Sequence, residues 1–502
     1  MIGTNSSFMK SLCADLVLQR MSGTTDTTLN RKVYESLRAA ILDGSLQPLS
    51  LLPASRDLAR ELGMSRNTVV NAYDQLQAEG YVHARVGSGT FVANITPESF
   101  LATGRNAIGM DDESASVRFS RRAQSLLANA SAAPVQWGAF MPGVPDVTLF
   151  PRRQFSRILA RLWRSPRPEL LTYSHGGGHP ALRSAIAEHL RVARSVRCDP
   201  DQILVTEGVH QAIDLSMRML VDPRDTVWVE EPGYWGFHKV LQMGSAVIRP
   251  MHVEGDDTGW PHRSKPPRLI FVTPSHQYPL GSVMSLARRR ELLDFARSAG
   301  SWIVEDDYDS EFRFSGRPIP AMQGLEPNAP VIYIGTFSKT LFPSLRVGYM
   351  VLPRALAGSF RTAHADLYRE GHAFTHLALA ELIEQGHYAA HIRRMRVVYA
   401  RRRALLVSLI LRHLGPEYLD PQASNAGLHL VLRLPDGTDD VAISRAAEVR
   451  GVLTRPLSRY YVRTGGTRRG LLLGYACVSD ERIEPAFLAL KMCLTTPSPI
   501  SG

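Results

Sequence analysis

Lys339 stands where a lysine can do chemistry. It follows an apolar run, Val331-Ile332-Tyr333-Ile334, that reads as a buried strand, with Gly335, Thr336 and Ser338 between them and Arg346 seven residues further on. A lysine held at a strand end and partly stripped of water loses its proton readily and can then capture an aldehyde as an imine. A phosphate-binding P-loop is excluded, because it needs glycines immediately before the lysine and six residues before it, where Ser338 and Tyr333 stand.

Three other apolar runs end in groups that suit one ligand. After 203–205 comes Thr206-Glu207-Gly208-Val209-His210 leading into a helix, whose free N–H groups and positive end can hold a phosphate. After 227–229 comes Glu230-Glu231-Pro232-Gly233-Tyr234, which offers an aromatic face to a planar ring, and after 303–304 comes Glu305-Asp306-Asp307-Tyr308. An imine-forming lysine, a carboxylate that keeps a pyridine nitrogen protonated, an aromatic face and a phosphate cup are together what pyridoxal 5'-phosphate requires. Asp306 is assigned to the ring nitrogen, Tyr308 to the ring hydroxyl and Tyr234 to stacking. Thr336, Ser338 and Arg346 join Gly208 and Val209 around the phosphate, the arginine as a charge-assisted partner.

The elements that must position these groups alternate. Strands over 203–205, 226–230, 269–272, 302–305 and 331–334 are separated by helical patterns such as 211–220 and 287–299, which predicts an α/β domain with a largely parallel sheet over 136–495. Ligands of such sheets sit at the carboxyl ends of the strands.

The other end of the chain reads differently. Val33, Leu37, Ala40 and Ile41 make one face of a helix over 29–42, a second helix runs 55–62, Gly63 turns the chain, and Ser65 caps a third helix lined by Val69, Val70, Tyr73 and Leu76. This is a helix-turn-helix. Arg66, Asn67 and Thr68 at the start of the third helix, with Ser65 and Arg56, can reach base edges or phosphates, and the segment 81–92 reads as a two-stranded wing with a glycine tip at Gly89. Seven Lys/Arg stand against six Asp/Glu between residues 29 and 93, so DNA affinity must come from a focused patch and from pairing two copies. Between the domains, 94–135 is rich in Ser, Ala, Thr, Gly and Asn and reads as a flexible linker.

Composition sets bounds on the rest. A chain of 502 residues, 44% hydrophobic and 21% charged, buries sizeable cores in two or three domains. The net charge of +11 suits nucleic acid or anionic ligands. Cys13, Cys198, Cys477 and Cys493 form no CxxC pair, which argues against zinc or a disulfide framework, and no segment reads as a membrane span or a secretory signal. A cytoplasmic protein is expected.

The stretches LPASRDLARELGMSRNTVVNAYDQLQAEGY and GSGTFV resemble the winged helix-turn-helix of GntR-type regulators. TYSHGGGHPALRSAIAEHL, VTEGVHQAIDL, EEPGY, TPSHQYPLG, EDDYDSEF and TFSKTLFPSLRVGY resemble fold-type I aminotransferases. The combination is similar to the MocR subfamily of GntR regulators. That resemblance implies an α+β DNA-binding domain over 29–93, then a pyridoxal-phosphate transferase fold with a mixed, mostly parallel sheet and a small C-terminal α+β subdomain. It also implies a head-to-tail homodimer in which Tyr173 reaches the neighbouring subunit's phosphate, and a place for His276 near the ring hydroxyl.

Two departures matter. Pro48-Leu49-Ser50 replaces the usual Pro-Gly turn. Where aminotransferases keep an arginine for the substrate α-carboxylate, in a pattern like RLSFA, this chain has Leu472-Leu473-Gly474-Tyr475-Ala476, which leaves Arg468 and Arg469 as the arginines nearest upstream. The runs at 288–290, 393–394 and 401–403 read as solvated basic faces, and His175 and His179, separated by three glycines, do not read as a metal pair on a helix. The expected function is a DNA-binding transcriptional regulator that senses an amine, an amino acid or pyridoxal phosphate itself through an aldimine on Lys339. The alternatives are a working aminotransferase with a fused DNA-binding domain, and a scaffold that binds no DNA.

Overall fold

Helical periodicity at the start of the chain and strand runs in its middle build two separate cores. The computed structural model describes residues 5–21, 28–85, 88–94, 119–128, 135–174, 176–253, 265–316, 319–421, 423, 425–462 and 468–495. It divides into units 1–118 and 119–502.

The first unit contains α1 (Asn5–Met21), α2 (Leu29–Leu42), α3 (Ser55–Glu61), α4 (Arg66–Ala78) and the antiparallel hairpin β1 (Val82–Arg85) and β2 (Gly89–Val92). Val33, Leu37, Leu58, Val69 and Leu76 are fully buried in one cluster, each contributing about 1.5–3 kcal/mol. Two phenols tie the helices together: Tyr34 donates to Glu79, and Tyr73 donates to the Pro53 carbonyl at 2.8 Å. The periodicity read from 29 onward gives no hint of α1, which inserts Cys13, Ala14 and Val17 into the same cluster and sends Arg20 to Asp43.

The wing is broader than a two-stranded reading predicts. Segment 49–52 runs along β2, with Leu49 N–H donating to Val92 O at 3.0 Å and Leu52 N–H to Thr90 O at 2.8 Å. Leu49, in the turn that departs from Pro-Gly, takes φ +63°, the left-handed region that favours glycine. Leu49 is exposed, so Leu49→Gly removes strain without opening a cavity. The left-handed cost of about 1–2 kcal/mol outweighs the extra unfolded-state entropy of glycine. A rise of roughly 0.5 kcal/mol in the stability of the first unit is expected, read as a higher denaturation midpoint.

The second unit is organised on a seven-stranded sheet of order β3 (Ile203–Thr206), β9 (Gly348–Val351), β8 (Val331–Thr336), β7 (Trp302–Asp307), β6 (Leu269–Val272), β4 (Thr226–Glu231) and β5 (Val247–His252). Only β9 runs antiparallel to its neighbours. The strands are near-continuous apolar runs because both faces are covered. Val227, Val229, Leu269, Phe271 and Val304 pack with the helix Val209–Leu220 on one face, while Trp228, Ile270, Val272 and Ile303 pack with the helix Leu286–Ala299 on the other. The edge strand β5 escapes a sequence reading because Arg249 and Pro250 interrupt its pattern. A small antiparallel sheet of order β10 (His429–Leu434), β12 (Arg469–Gly474) and β11 (Arg455–Pro456) packs with the helices His387–His413, Asp440–Val449 and Asp480–Thr495.

Two of the basic runs are not uniformly solvated faces. Arg289 is 1% exposed and donates to the carbonyls of Met284, Pro320 and Pro274. Arg402 is buried between Asp146 and Asp480 at 2.9 Å each. Both arginines staple distant segments, which a charge pattern cannot reveal. Of 94–135, residues 95–118 and 129–134 lie outside the described residues, and the helix Arg121–Ala128 bonds the second unit through Arg122 and the Met243 carbonyl at 3.1 Å.

Candidate functional site

The parallel strands β3, β4, β6, β7 and β8 all point their carboxyl ends to one edge of the sheet, and the antiparallel β9 begins there. Register sets Gly348 beside both Thr206 and Thr336, so the loops after β3, before β9 and after β8 converge. Only glycine is tolerated at that junction, since a Cβ on Gly348 would come 2.9 Å from the Gly208 Cα. Gly208 has φ +88° and starts the helix Val209–Leu220, leaving the first N–H groups of that helix unbonded within it. Arg346 donates to the Glu207 carbonyl at 2.6 Å, and a Cβ on Gly208 would meet its guanidinium at 2.8 Å. Thr336 Oγ1 accepts the Ser338 N–H at 3.1 Å. The loops that carry Gly208, Val209, Thr336, Ser338 and Arg346 thus meet at this edge of the sheet.

Alternation along β7 separates two adjacent acids onto opposite faces. Asp307 is paired with Arg194 and accepts the Tyr333 hydroxyl, each at 2.6 Å, and is structural. Asp306 is also buried, yet its Oδ1 has no hydrogen-bond partner among the described residues. Burial and the neighbouring Asp307 charge push its carboxyl up to about 8, against the opposing pull of Lys339. A buried carboxyl oxygen without a partner needs a donor.

Around it lie the aromatic groups. The Tyr234 hydroxyl lies 2.7 Å from His210 Nε2, and its ring rests over Gly236, where a Cβ would approach to 2.4 Å. Tyr308 Oη is 2.9 Å from His276 Nδ1, so the two residues assigned to the ring hydroxyl bond each other. Asp309, at 3.0 Å from the same nitrogen, fixes the tautomer with the proton on Nδ1 and leaves the Tyr308 proton for a ligand. Tyr278 stands edge-on to both Tyr234 and Tyr308.

Lys339 Nζ donates to the Gly143 carbonyl at 2.8 Å. Burial lowers its pKa, with Arg346 adding to the effect and Asp309 and Asp306 opposing it. An amine whose pKa is lowered by burial, a buried carboxyl oxygen without a partner among the described residues and a helix-end cup fit the imine, pyridine and phosphate ends of pyridoxal phosphate. Tyr173 is 74% exposed, with Arg369 over its ring at 5.6 Å, and makes no contact with this cluster. A cavity of about 490 Å³ lined by Leu280, Asp420, Arg433, Arg468 and Arg469 lies elsewhere and includes none of the cup. Among the described residues no cluster of His, Cys, Asp or Glu is arranged to hold a metal ion, and no helix is long and apolar enough to cross a membrane. His179 caps the helix Pro180–Arg194 by accepting the Ala181 N–H, and His175 lies outside the described residues.

In the first unit Arg56, Ser65, Arg66 and Asn67 are exposed, and Thr68 is half-buried. Ser65 Oγ accepts the Thr68 N–H at 3.2 Å and lies 2.8 Å from its hydroxyl, so this pair caps α4 as well as facing outward. Gly89 has a packing reason of its own, since at φ +109° a Cβ would lie 2.7 Å from Leu51 Cδ1.

Residues 155–490 match the family model for aminotransferase class I and II, and residues 29–92 match that for bacterial regulatory proteins of the gntR family. Over 485 residues, 95% of this chain and 96% of the relative, the sequence is 42% identical to "Probable rhizopine catabolism regulatory protein MocR" of Rhizobium meliloti. The chain belongs to the MocR-type family of GntR regulators. Another relative of this MocR-type chain is the HTH-type pyridoxine biosynthesis transcriptional regulator PdxR of Corynebacterium glutamicum. The two are 33% identical over 461 residues, 91% of this chain and 94% of the relative. The relatives matched along the whole chain are named as transcriptional regulators and not as enzymes. The second unit shares the fold of LysN, an α-aminoadipate aminotransferase of Thermus thermophilus complexed with N-(5'-phosphopyridoxyl)-L-leucine. The TM-score is 0.64 at 26% identity, covering 77% of this chain and 97% of that one. A kynurenine aminotransferase of Pyrococcus horikoshii gives a TM-score of 0.64 at 24% identity, over 78% and 98%.

Three residues of the MocR-type site escaped the sequence reading. Asp309 and His210 lie within quoted motifs, one residue from Tyr308 and from Val209, but their roles depend on His276 and Tyr234. Gly143 had no signal beyond a Pro-Gly pair.

Proposed function

We propose that the chain is a DNA-binding transcriptional regulator whose second unit binds pyridoxal phosphate at Lys339 and answers an amine or amino-acid effector by changing operator affinity. The observation that carries this reading is the buried Oδ1 of Asp306, without a partner among the described residues, in the same site as the buried Lys339 amine, whose pKa is lowered by that burial. Pyridoxal phosphate, when bound, supplies an aldehyde for amines and an electron-accepting ring. Lys339 is the amine that holds it and that an effector displaces. Asp306 holds the proton at the ring nitrogen, Tyr308 with His276 faces the ring hydroxyl, Tyr234 covers the ring, and Arg346 with the helix end at Gly208 and Val209 binds the phosphate. Residues 29–93 act as the DNA-binding domain, 94–135 as the tether and 136–495 as the effector domain. The active form is a head-to-tail homodimer, which gives exposed Tyr173 a neighbouring subunit to reach.

A working aminotransferase is the weaker reading. Leu472 is fully buried with Leu280, Val431, Leu457 and Tyr460, so an apolar wall stands where an α-carboxylate arginine would. Arg469 is drawn to Asp440 at 3.9 Å and Arg468 to Asp420 at 3.7 Å, so neither replaces it. Pyridoxal phosphate itself as the signal is the alternative, and one relative is named a regulator of pyridoxine biosynthesis. The deciding experiment titrates promoter DNA with protein and follows operator affinity and visible absorption together as amines or pyridoxal phosphate are added. Multiple turnovers to a ketoacid, or affinity indifferent to every amine, would defeat the reading.

For the DNA face, Arg66→Ala is expected to weaken operator binding about tenfold. A phosphate contact lowers the salt slope by about one unit, and a base contact leaves it unchanged while relaxing sequence preference, as gel retardation over a salt series distinguishes.

A further inference from the structure

The buried leucine at 472 has an arginine beside it. Register between β11 and β12 sets Arg455 directly opposite Leu472, so the two side chains leave the same face of the small sheet, about 5 Å apart at their Cβ atoms. The facing residue on the third strand is Val431, two residues along from His429, whose ring packs 5.5 Å from that of His276. The His429 end of this face thus reaches His276, while Val431 also lines the cavity of about 490 Å³.

Arg455 is held there with weak partners. Nη2 lies 3.5 Å from the Met141 sulfur and Nη1 3.5 Å from the carbonyl of its own neighbour, Thr454. No carboxylate stands within ion-pair range of it among the described residues. The well-buried arginines contrast with this: Arg194 has Asp307 and Ser275, and Arg402 has Asp146 and Asp480. A half-buried guanidinium without a carboxylate partner among the described residues leaves N–H groups open to an anion.

Its surroundings tie it to Lys339. Met141 is two residues before Gly143, whose carbonyl holds the Lys339 amine. The charge of Arg455 also acts on the phenols of Tyr278 and Tyr460, whose hydroxyls lie 3.2 Å apart. Tyr278 in turn stands edge-on to Tyr234 and Tyr308.

The geometry points to Arg455 as the residue that binds a carboxylate carried by the amine effector, taking over from position 472 on the adjacent strand. The phenols of Tyr278 and Tyr460, on which its charge acts, offer further hydroxyls. Moving the cation one strand over changes where on the effector the acid must lie. The inference rests on the reading of Lys339 as the cofactor lysine.

The test uses the full chain loaded with pyridoxal phosphate. Visible absorption is followed while ω-aminocarboxylates of two to six carbons and n-alkylamines of matched length are titrated into wild type, Arg455→Met and Arg455→Lys. Wild type is expected to respond to at least one aminocarboxylate at a concentration ten or more times lower than to its matched alkylamine. Arg455→Met loses that difference and Arg455→Lys keeps part of it. The cofactor band formed by Arg455→Met serves as the control for folding. Equal responses of wild type to both amine classes, or an undiminished preference in Arg455→Met, would overturn the assignment. A wild type that forms no lysine-dependent band with pyridoxal phosphate overturns the cofactor reading itself, and the assignment with it.

Discussion

Lys339→Ala removes the visible absorption band that wild type forms with pyridoxal phosphate, lowers cofactor affinity by about a hundredfold or more, and leaves operator binding insensitive to amines. The size of the effect follows from the chemistry, because an imine is lost as a covalent tether while the contacts around the phosphate and at Asp306 remain. The fold survives, since the amine makes one hydrogen bond, to Gly143, worth about 1 kcal/mol, and leaves a site where burial already disfavoured its charge. Equilibrium dialysis measures the affinity, and the spectrum with and without the lysine measures the tether. A band of equal intensity in the alanine variant would place the imine on another amine.

Asp306→Asn weakens cofactor binding by about 10- to 100-fold, the equivalent of roughly 1.5–3 kcal/mol for a hydrogen bond to a charged group. It also changes how stability depends on pH in the cofactor-free chain. Burial raises the Asp306 carboxyl from 3.8 in the ordinary case to about 8, so the folded state binds a proton that the unfolded chain has released. That contribution to stability is fully present below about pH 4 and is lost as pH rises through about 8, at no more than about 1.4 kcal/mol per pH unit. Asparagine carries no titrating group. The gap in denaturation midpoint between the variant and wild type is therefore expected to widen in favour of the variant from pH 5 to pH 8 and to level off above it. Glu230, raised to about 7 by burial, titrates in both chains, and only the part of its titration independent of the Asp306 charge cancels in the difference. If the proposed ring N–H faces this carboxylate in the loaded protein, the widening is expected to shrink. A gap constant with pH would mean that Asp306 is ionised throughout.

Much of the candidate site was legible because its members sit next to patterns that are local. Each apolar strand run is followed within a few residues by the groups it delivers, so Lys339, Asp306, Tyr308, Tyr234 and Gly208 could be picked by reading what stands at strand ends. The helix-turn-helix was legible for the same reason, its apolar spacing and its Ser65 cap lying within single helices.

The sequence alone therefore determined the family of this protein, from two motif sets in one chain, and which residue types follow each strand end. The tertiary structure decided which candidates face the site. Asp306 and Asp307 are neighbours in sequence, and only the arrival of Arg194 from 113 residues away marks one as structural and leaves the other open. Arg289 and Arg402 read as solvated until distant carbonyls and carboxylates were seen to surround them. Leu472 read as a lost arginine until strand register set Arg455 across from it. The physical reason is common to all three: a period of two or of 3.6 specifies which face a residue takes, but its partner is chosen by pairings between segments far apart in the chain.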